Sequence, residues 1–172
     1  MALVLKAIPA LGDDDALARL SRESPDWRFE VDAEGSLIVS PTYSEGGARD
    51  AEAVVQLHVY AKRVGGKAFG SSTGFRLADR SVRSPDASWI SGEHIARLTP
   101  EERSKFWQTC PDVVIEVLSD TDSWNDLLHK LDMYERNGAR YAVAIDPFAR
   151  RSESRGTPPN GLDLDIDAII DA

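Results

Sequence analysis

No stretch of this sequence stays apolar for the ~20 residues that a membrane-spanning helix needs. There is a single cysteine, Cys110, so no internal disulfide can form, and the chain suits a reducing compartment. The three histidines, His58, His94 and His129, fall at no zinc-ligand spacing with one another or with Cys110. No glycine-rich loop stands between a strand and a helix, which argues against nucleotide binding through a phosphate loop. No serine or cysteine has a convincing base partner for nucleophilic catalysis. Positive charge is short as well: 20 Lys and Arg against 29 Asp and Glu give a net charge of −9. That excludes a broad basic surface for bulk nucleic-acid binding, and leaves room for a local basic patch or for a metal that offsets acids. The first residues lack a basic leading segment and run straight into Asp13, Asp14 and Asp15, so no signal peptide is expected and the cytoplasm is the expected location.

What is present is ordinary for a folded protein. The chain has 172 residues, 42% apolar and 28% charged, which fits one domain over residues 1–172 with a real core. "WRFEV" and "SLIVS" around "DAEG" predict an N-terminal β-hairpin with Gly35 in the turn. A helix is expected from about Ala48 to Val64, with Val54, Leu57, His58 and Ala61 on its inner face and His58 as a core residue. Two or three short strands should follow, then a short helix at "TPEERSKFW" with Thr99 as cap and Glu102 completing the capping box. "DSWNDLLHKLDMYERNG" is the strongest helix: Trp124, Leu127, Leu128, Leu131 and Tyr134 form one stripe, and Gly138 ends it. "RYAVAIDP" reads as a strand, "RRSESRGTPPNG" as a polar surface loop, and "LDLDIDAII" as a half-exposed edge strand. The expected architecture is α/β, a central mixed β-sheet flanked by helices.

One residue conflicts with its surroundings. Val113 to Leu118 is apolar except at Glu116, and such a run reads as a strand buried on both faces. An ionised carboxylate stays there only if something pairs with it. Asp112, four residues earlier, lies on the same face but roughly 13 Å away, too far to share one ion, so it reads as a turn or strand-entry residue. Asp86, in "RSPDASW", ends another extended segment. If that segment pairs with the Glu116 strand, the two acids meet across the ladder. Adjacent carboxylates repel, and a hard cation such as Mg²⁺ relieves the conflict. Lys130, at the border of the helical stripe, either reaches inward toward Glu116, pairs with Asp126 four residues earlier, or snorkels to solvent. Glu116 could equally pair with a core arginine.

Taken in order, "RSPDASW", "CPDVVIEVLS", "D…K…Y…NG" and "AIDP" resemble the Uma-two family of restriction-endonuclease-like proteins, part of the PD-(D/E)XK nuclease superfamily. The resemblance runs from about Trp27 to Pro147. It implies a restriction-endonuclease-like core and a Mg²⁺- or Mn²⁺-dependent endonuclease that hydrolyses phosphodiester bonds. Asp86 and Glu116, with the backbone carbonyl of Val117, would hold the metal, and Lys130 would be the catalytic lysine. The superfamily lysine normally stands two residues after the glutamate, where this chain has Leu118; the Uma-two pattern places it on the following helix, at Lys130. Glu52 matches an acidic position of the superfamily, or else is a carboxylate favoured by a helix start. The expected partner is nucleic acid, DNA before RNA, bound weakly and in a salt-sensitive way, and the expected assembly is a homodimer by analogy. Lys62, Arg63, Lys67, Arg76, Arg80, Arg83, Arg150 and Arg151 are the basic residues that could guide a backbone. The competing expectation is a catalytically inactive nuclease-fold dimer that serves as a binding or regulatory module.

Overall fold

The computed structural model describes residues 13–41, 46–120 and 122–172. The aspartates near the start open a helix, α1 (Asp14–Glu23): the Asp13 carboxylate accepts the Ala16 amide at 2.9 Å, and Asp14 and Asp15 occupy the first turn. Acids at these positions satisfy free amides and the helix dipole. The expected hairpin follows as β1 (Trp27–Val31) and β2 (Leu37–Pro41), paired from Trp27↔Pro41 to Val31↔Leu37. Gly35, at φ 92°, takes the left-handed position of its turn.

Then come α2 (Gly46–Val64), β3 (Lys67–Gly70), β4 (Phe75–Arg76), β5 (Val82–Arg83), β6 (Ala87–Ile90) and α3 (Gly92–Arg97). The Thr99 capping box forms in both directions, with Glu102 N–Thr99 Oγ1 at 3.3 Å and Thr99 N–Glu102 Oε2 at 2.8 Å. It starts only a single 3₁₀ turn, Glu101–Arg103. The remaining elements are β7 (Val113–Val117), α4 (Trp124–Arg136), β8 (Tyr141–Asp146), β9 (Arg151–Gly156) and α5 (Ile166–Asp171).

The strands make two sheets. A smaller one runs β2-β1-β5-β4, and a larger one runs β3-β6-β7-β8-β9. In the larger sheet only β7 and β8 are parallel, and the helix α4 provides their crossover. This is the expected central mixed sheet. Residues on β7 alternate between two cores, which explains why both faces of the strand are apolar. Val113, Ile115 and Val117 pack with Ala53, Leu57 and Tyr60 of α2 and Ile169 of α5. Val114 and Leu118 pack with Leu127, Leu131 and Tyr134 of α4. Glu116 shares the parity of Val114 and Leu118, so it faces α4. Among the described residues, no helix is long and apolar enough to cross a membrane.

Three expectations are corrected. His58 is exposed: of the expected inner face, Leu57 and Ala61 are buried and Val54 packs against the core, but Ala53 and Tyr60 complete the stripe in place of His58. Residues 150–161 are not simply a loop: Arg151–Gly156 is an exposed edge strand, paired with β8 from Asp146↔Arg151 to Tyr141↔Gly156. Its polar composition is what an unprotected sheet edge tolerates. Conversely, "LDLDIDAII" is no strand. Leu162, Leu164 and Ile166 pack against the α2-side core, and Asp165 then caps α5 by accepting the Ala168 amide at 2.9 Å.

The join from α2 to β3 depends on two glycines. Gly65 and Gly66 have φ of 89° and 86°. A Cβ on Gly66 would lie 2.2 Å from the Ile90 carbonyl oxygen, whereas one on Gly65 would meet nothing within 4 Å. Urea denaturation should therefore separate them: Gly65→Ala costs about 1 kcal/mol for its backbone conformation, and Gly66→Ala costs about 3 kcal/mol or more because the sheet must also open. Equal costs would contradict this account of the join.

Candidate functional site

The β6–β7 ladder pairs Ala87 with Ile115, so the next step outward sets Asp86 against Glu116. Both acids are buried, at 5% and 2% exposure. Asp86 is held by the neighbouring strand: its Oδ2 accepts the Val117 amide at 2.9 Å. Glu116 is held by α4. Its Oε1 accepts the Tyr134 hydroxyl at 2.8 Å and lies 2.9 Å from Lys130 Nζ. Lys130 and Tyr134 are one turn apart, so one helix face delivers both donors to one oxygen. Of the fates open to Lys130, the inward one is seen, and Asp126 stays exposed at the start of α4.

The hairpin supplies the rest. Arg28 and Glu30 are two apart on β1 and share a face. Arg28 Nη1 lies 2.7 Å from Asp86 Oδ1 and donates to the Ser84 carbonyl at 3.3 Å. Glu30 Oε1 accepts the Ser84 amide at 2.6 Å, and its Oε2 stands 3.7 Å from both Lys130 Nζ and Arg83 Nη1. The charges form three ion pairs, Arg28 with Asp86, Lys130 with Glu116 and Arg83 with Glu30, and Asp86 and Glu116 are like-charged neighbours within the chain of pairs. Asp50, near the start of α2, feels the charge of Asp86 and, with opposite sign, that of Arg28.

Acid is in excess. Burial and the charges of Asp86 and Glu30 outweigh the pull of Lys130 and lift the Glu116 carboxyl from the ordinary 4.5 to about 7. Burial and Asp86 lift Asp50 to about 7 as well. Burial opposes the charge on Lys130, but Glu116, Glu30 and Asp86 together hold its ammonium above the usual lysine range. Burial likewise opposes ionisation of Glu30, and Lys130 and Arg83 overcome it. Among the described residues no three His, Cys, Asp or Glu side chains form a ready-made metal cage, and Arg28 occupies the outer oxygen of Asp86.

Asp86, Glu116, the Val117 backbone and Lys130 thus come together. Glu52 does not join them. Its carboxylate accepts Gln56 Nε2 at 3.0 Å, and Gln56 in turn bonds the Asp165 backbone beside α5. Asp50 takes the place expected of Glu52, since it continues the buried stripe Ala53–Leu57–Tyr60 back by one turn. Asp112 is structural, as expected: it accepts the Ser91 amide at 2.7 Å and contacts His94 Nδ1 at 2.9 Å. Several candidate guide cations are occupied within the fold. Arg76 pairs with Asp14, Arg83 with Glu30, and Arg150 with Asp167 and Asp171.

The model of the Uma2 family, described as "Putative restriction endonuclease", matches residues 14–161. The chain belongs to the Uma2 family. Among solved structures it is similar to "a putative nuclease belonging to DUF820 from Anabaena variabilis ATCC 29413", with a TM-score of 0.64 and 20% identity over 83% of this chain and 89% of that one. At that identity the likeness establishes the fold, and the Uma2 chain has a nuclease-like fold with an N-terminal hairpin. No curated protein matches it.

Glu116 holds its proton more tightly in the folded chain than in the unfolded one. Its contribution to stability is therefore complete below pH 4.5 and is lost as pH rises through about 7. The shift corresponds to roughly 3 kcal/mol. In chelator, stability of the native protein relative to Glu116→Gln should fall by about that amount between pH 4.5 and pH 8. A difference that is flat with pH would show that Glu116 titrates in the folded chain as it does in the unfolded one.

Proposed function

We propose that this Uma2 protein is a Mg²⁺- or Mn²⁺-dependent endonuclease that hydrolyses phosphodiester bonds of DNA. The observation that carries this is a pair of buried carboxylates, Asp86 just before β6 and Glu116 on β7, near enough that the Asp86 charge raises the Glu116 carboxyl, with a lysine 2.9 Å from Glu116. Asp86, Glu116 and the backbone carbonyl of Val117 would hold the ion, with Asp50 rather than Glu52 as the further acid. The donors fit a hard cation: all are oxygens, and burial together with the neighbouring Asp86 charge lifts two of the carboxyls to about 7, a cost that a bound cation would relieve. Such an ion supplies charge neutralisation at the phosphoryl oxygens and a more acidic attacking water.

The chain's own residues do the rest. The Val117 amide fixes Asp86 by Oδ2 and leaves Oδ1 as the oxygen that changes partner. Tyr134 sets the plane of the Glu116 carboxylate. Lys130 sits between Glu116 and Glu30 and presents its ammonium where negative charge grows on the phosphoryl group. Arg28 is the resident counter-cation of Asp86. Its side chain is 31% exposed, so it can swing out when Oδ1 is needed and meet the substrate phosphate instead. The protein is taken as one domain, cytoplasmic and homodimeric, the last by analogy with the superfamily.

A second reading has one observation in its favour: Arg28 and Lys130 already neutralise Asp86 and Glu116 without an ion. On that view the protein is an inactive nuclease-fold dimer that binds or regulates.

Plasmid and single-stranded DNA incubated with Mn²⁺ separate the two. Native protein should cut, and Asp86→Asn and Lys130→Ala should lose on the order of 100-fold in rate. Binding without cutting selects the module. A Mn²⁺ titration followed by electron paramagnetic resonance tests Arg28 directly: Arg28→Ala should bind Mn²⁺ roughly tenfold more tightly, a gain of one released ion pair. Affinity should also rise with pH across about 6 to 8, as the carboxyl proton is displaced. Unchanged affinity in Arg28→Ala would remove its role as counter-cation.

A further inference from the structure

The carboxyl end of the parallel pair β7–β8 carries a feature that the hydrolytic site does not use. One step past Ile145, the partner of Val117, stands Asp146. Its Oδ1 accepts the amides of Phe148 at 3.1 Å and Ala149 at 3.0 Å, and its Oδ2 lies 3.0 Å from Arg151 Nε. This carboxylate-closed turn, completed by Arg150 at φ 48°, fixes the backbone on which Phe148 projects. The Phe148 side chain is nevertheless 58% exposed, and it is the one aromatic among the exposed large apolar residues described. The turn therefore holds this ring outward at a fixed place.

Two arginine–aromatic pairs mark the rim. The Arg151 guanidinium sits 4.4 Å from the centre of the Trp124 ring, at the start of α4. The Arg49 guanidinium lies 6.0 Å from the centre of Phe148. Arg49 also donates from Nε to the Ile170 carbonyl at 3.3 Å. The turn leaves β8 directly after Ile145, the residue paired with Val117, so this rim lies at the same end of the sheet as Val117. Rings and guanidinium planes are what unstacked bases stack upon, and each stacked base adds affinity with no need of sequence. The net charge of −9 makes a grip through phosphates alone unfavourable, and stacking is the binding mode least dependent on a basic surface. A duplex keeps its base faces internal and offers Phe148 nothing to stack on.

We propose that Phe148 with Arg49, and Trp124 with Arg151, form a stacking platform that seats single-stranded DNA beside the carboxylate site. The proposal rests on the nuclease reading for its choice of ligand, and names the substrate form that the site takes. It is tested by binding in chelator, where nothing is cut, using fluorescence anisotropy of a dye-labelled oligothymidylate of about 16 nucleotides, the upper size for a single-strand groove. A blunt-ended duplex and an oligouridylate serve as comparators. The oligothymidylate should bind about tenfold more tightly than the duplex. Phe148→Ala should lose about tenfold on the single strand and nothing on the duplex, and Phe148→Trp should restore binding. Because Phe148 is exposed, its variants should melt with the native protein, which circular dichroism checks. Equal binding of single strand and duplex, tighter binding of the oligouridylate, or no effect of Phe148→Ala each overturns the platform, whatever the cleavage assay gives. Single-strand binding that depends on Phe148 without any cutting overturns hydrolysis and leaves the platform standing.

Discussion

A 2.9 Å contact between Lys130 Nζ and Glu116 Oε1 makes the rest of this arrangement possible. A carboxylate in the middle of an apolar strand is tolerated only with a partner that is itself satisfied. Lys130 is that partner, and it brings its own requirement, met by Glu30 on the other side. Glu30 in turn leans on Arg83 and the Ser84 amide. The ion pairs therefore bind three pieces of the fold together: the large sheet, the helix α4 and the hairpin with its small sheet. Asp86 has Arg28 and Glu116 has Lys130 as their ion-pair partners, and Glu30 supports Lys130, which is why the hairpin belongs to the site and is not an appendage to it.

Much of this is legible in the sequence. Glu116 stood out because it broke an apolar run, and Asp86 because it followed a proline at the end of an extended segment. Antiparallel pairing of their strands was enough to set them opposite each other. Lys130 was ambiguous, since a lysine at a stripe border more commonly points outward, and only the position of Glu116 beneath α4 decides the matter. Glu30 gave the same signal as Glu116, a carboxylate in "RFEV". Its partners, Lys130 and Arg83, lie far along the chain, so no local pattern shows what it pairs with. Arg28 and Arg83 act over sequence distances that no local pattern encodes.

Other differences have local causes. The helix α2 starts at Gly46, two residues before the expected Ala48, and its buried side runs through Ala53, Leu57, Tyr60 and Ala61, which leaves His58 in solvent and puts Asp50, one turn before Ala53, nearer the stripe than Glu52. The alternating "LDLDI" does line a core, as its period suggested, but no strand edge pairs with it, and Asp165 turns it into a helix instead. The polar "RSESRG" pairs with β8 although its composition suggested a loop, because an edge strand can be stabilised by its neighbour's backbone without apolar side chains.

A site with four carboxylates and three cations is poised to trade one positive partner for another. The account makes Arg28 the partner that leaves. Crystals grown with Mn²⁺ and measured at its absorption edge test this most directly. The account predicts one anomalous peak within about 2.0–2.6 Å of Asp86 and Glu116 oxygens, with the Arg28 guanidinium displaced from Asp86. No peak between the two acids, with Arg28 still seated on Asp86 Oδ1 in saturating Mn²⁺, would contradict it.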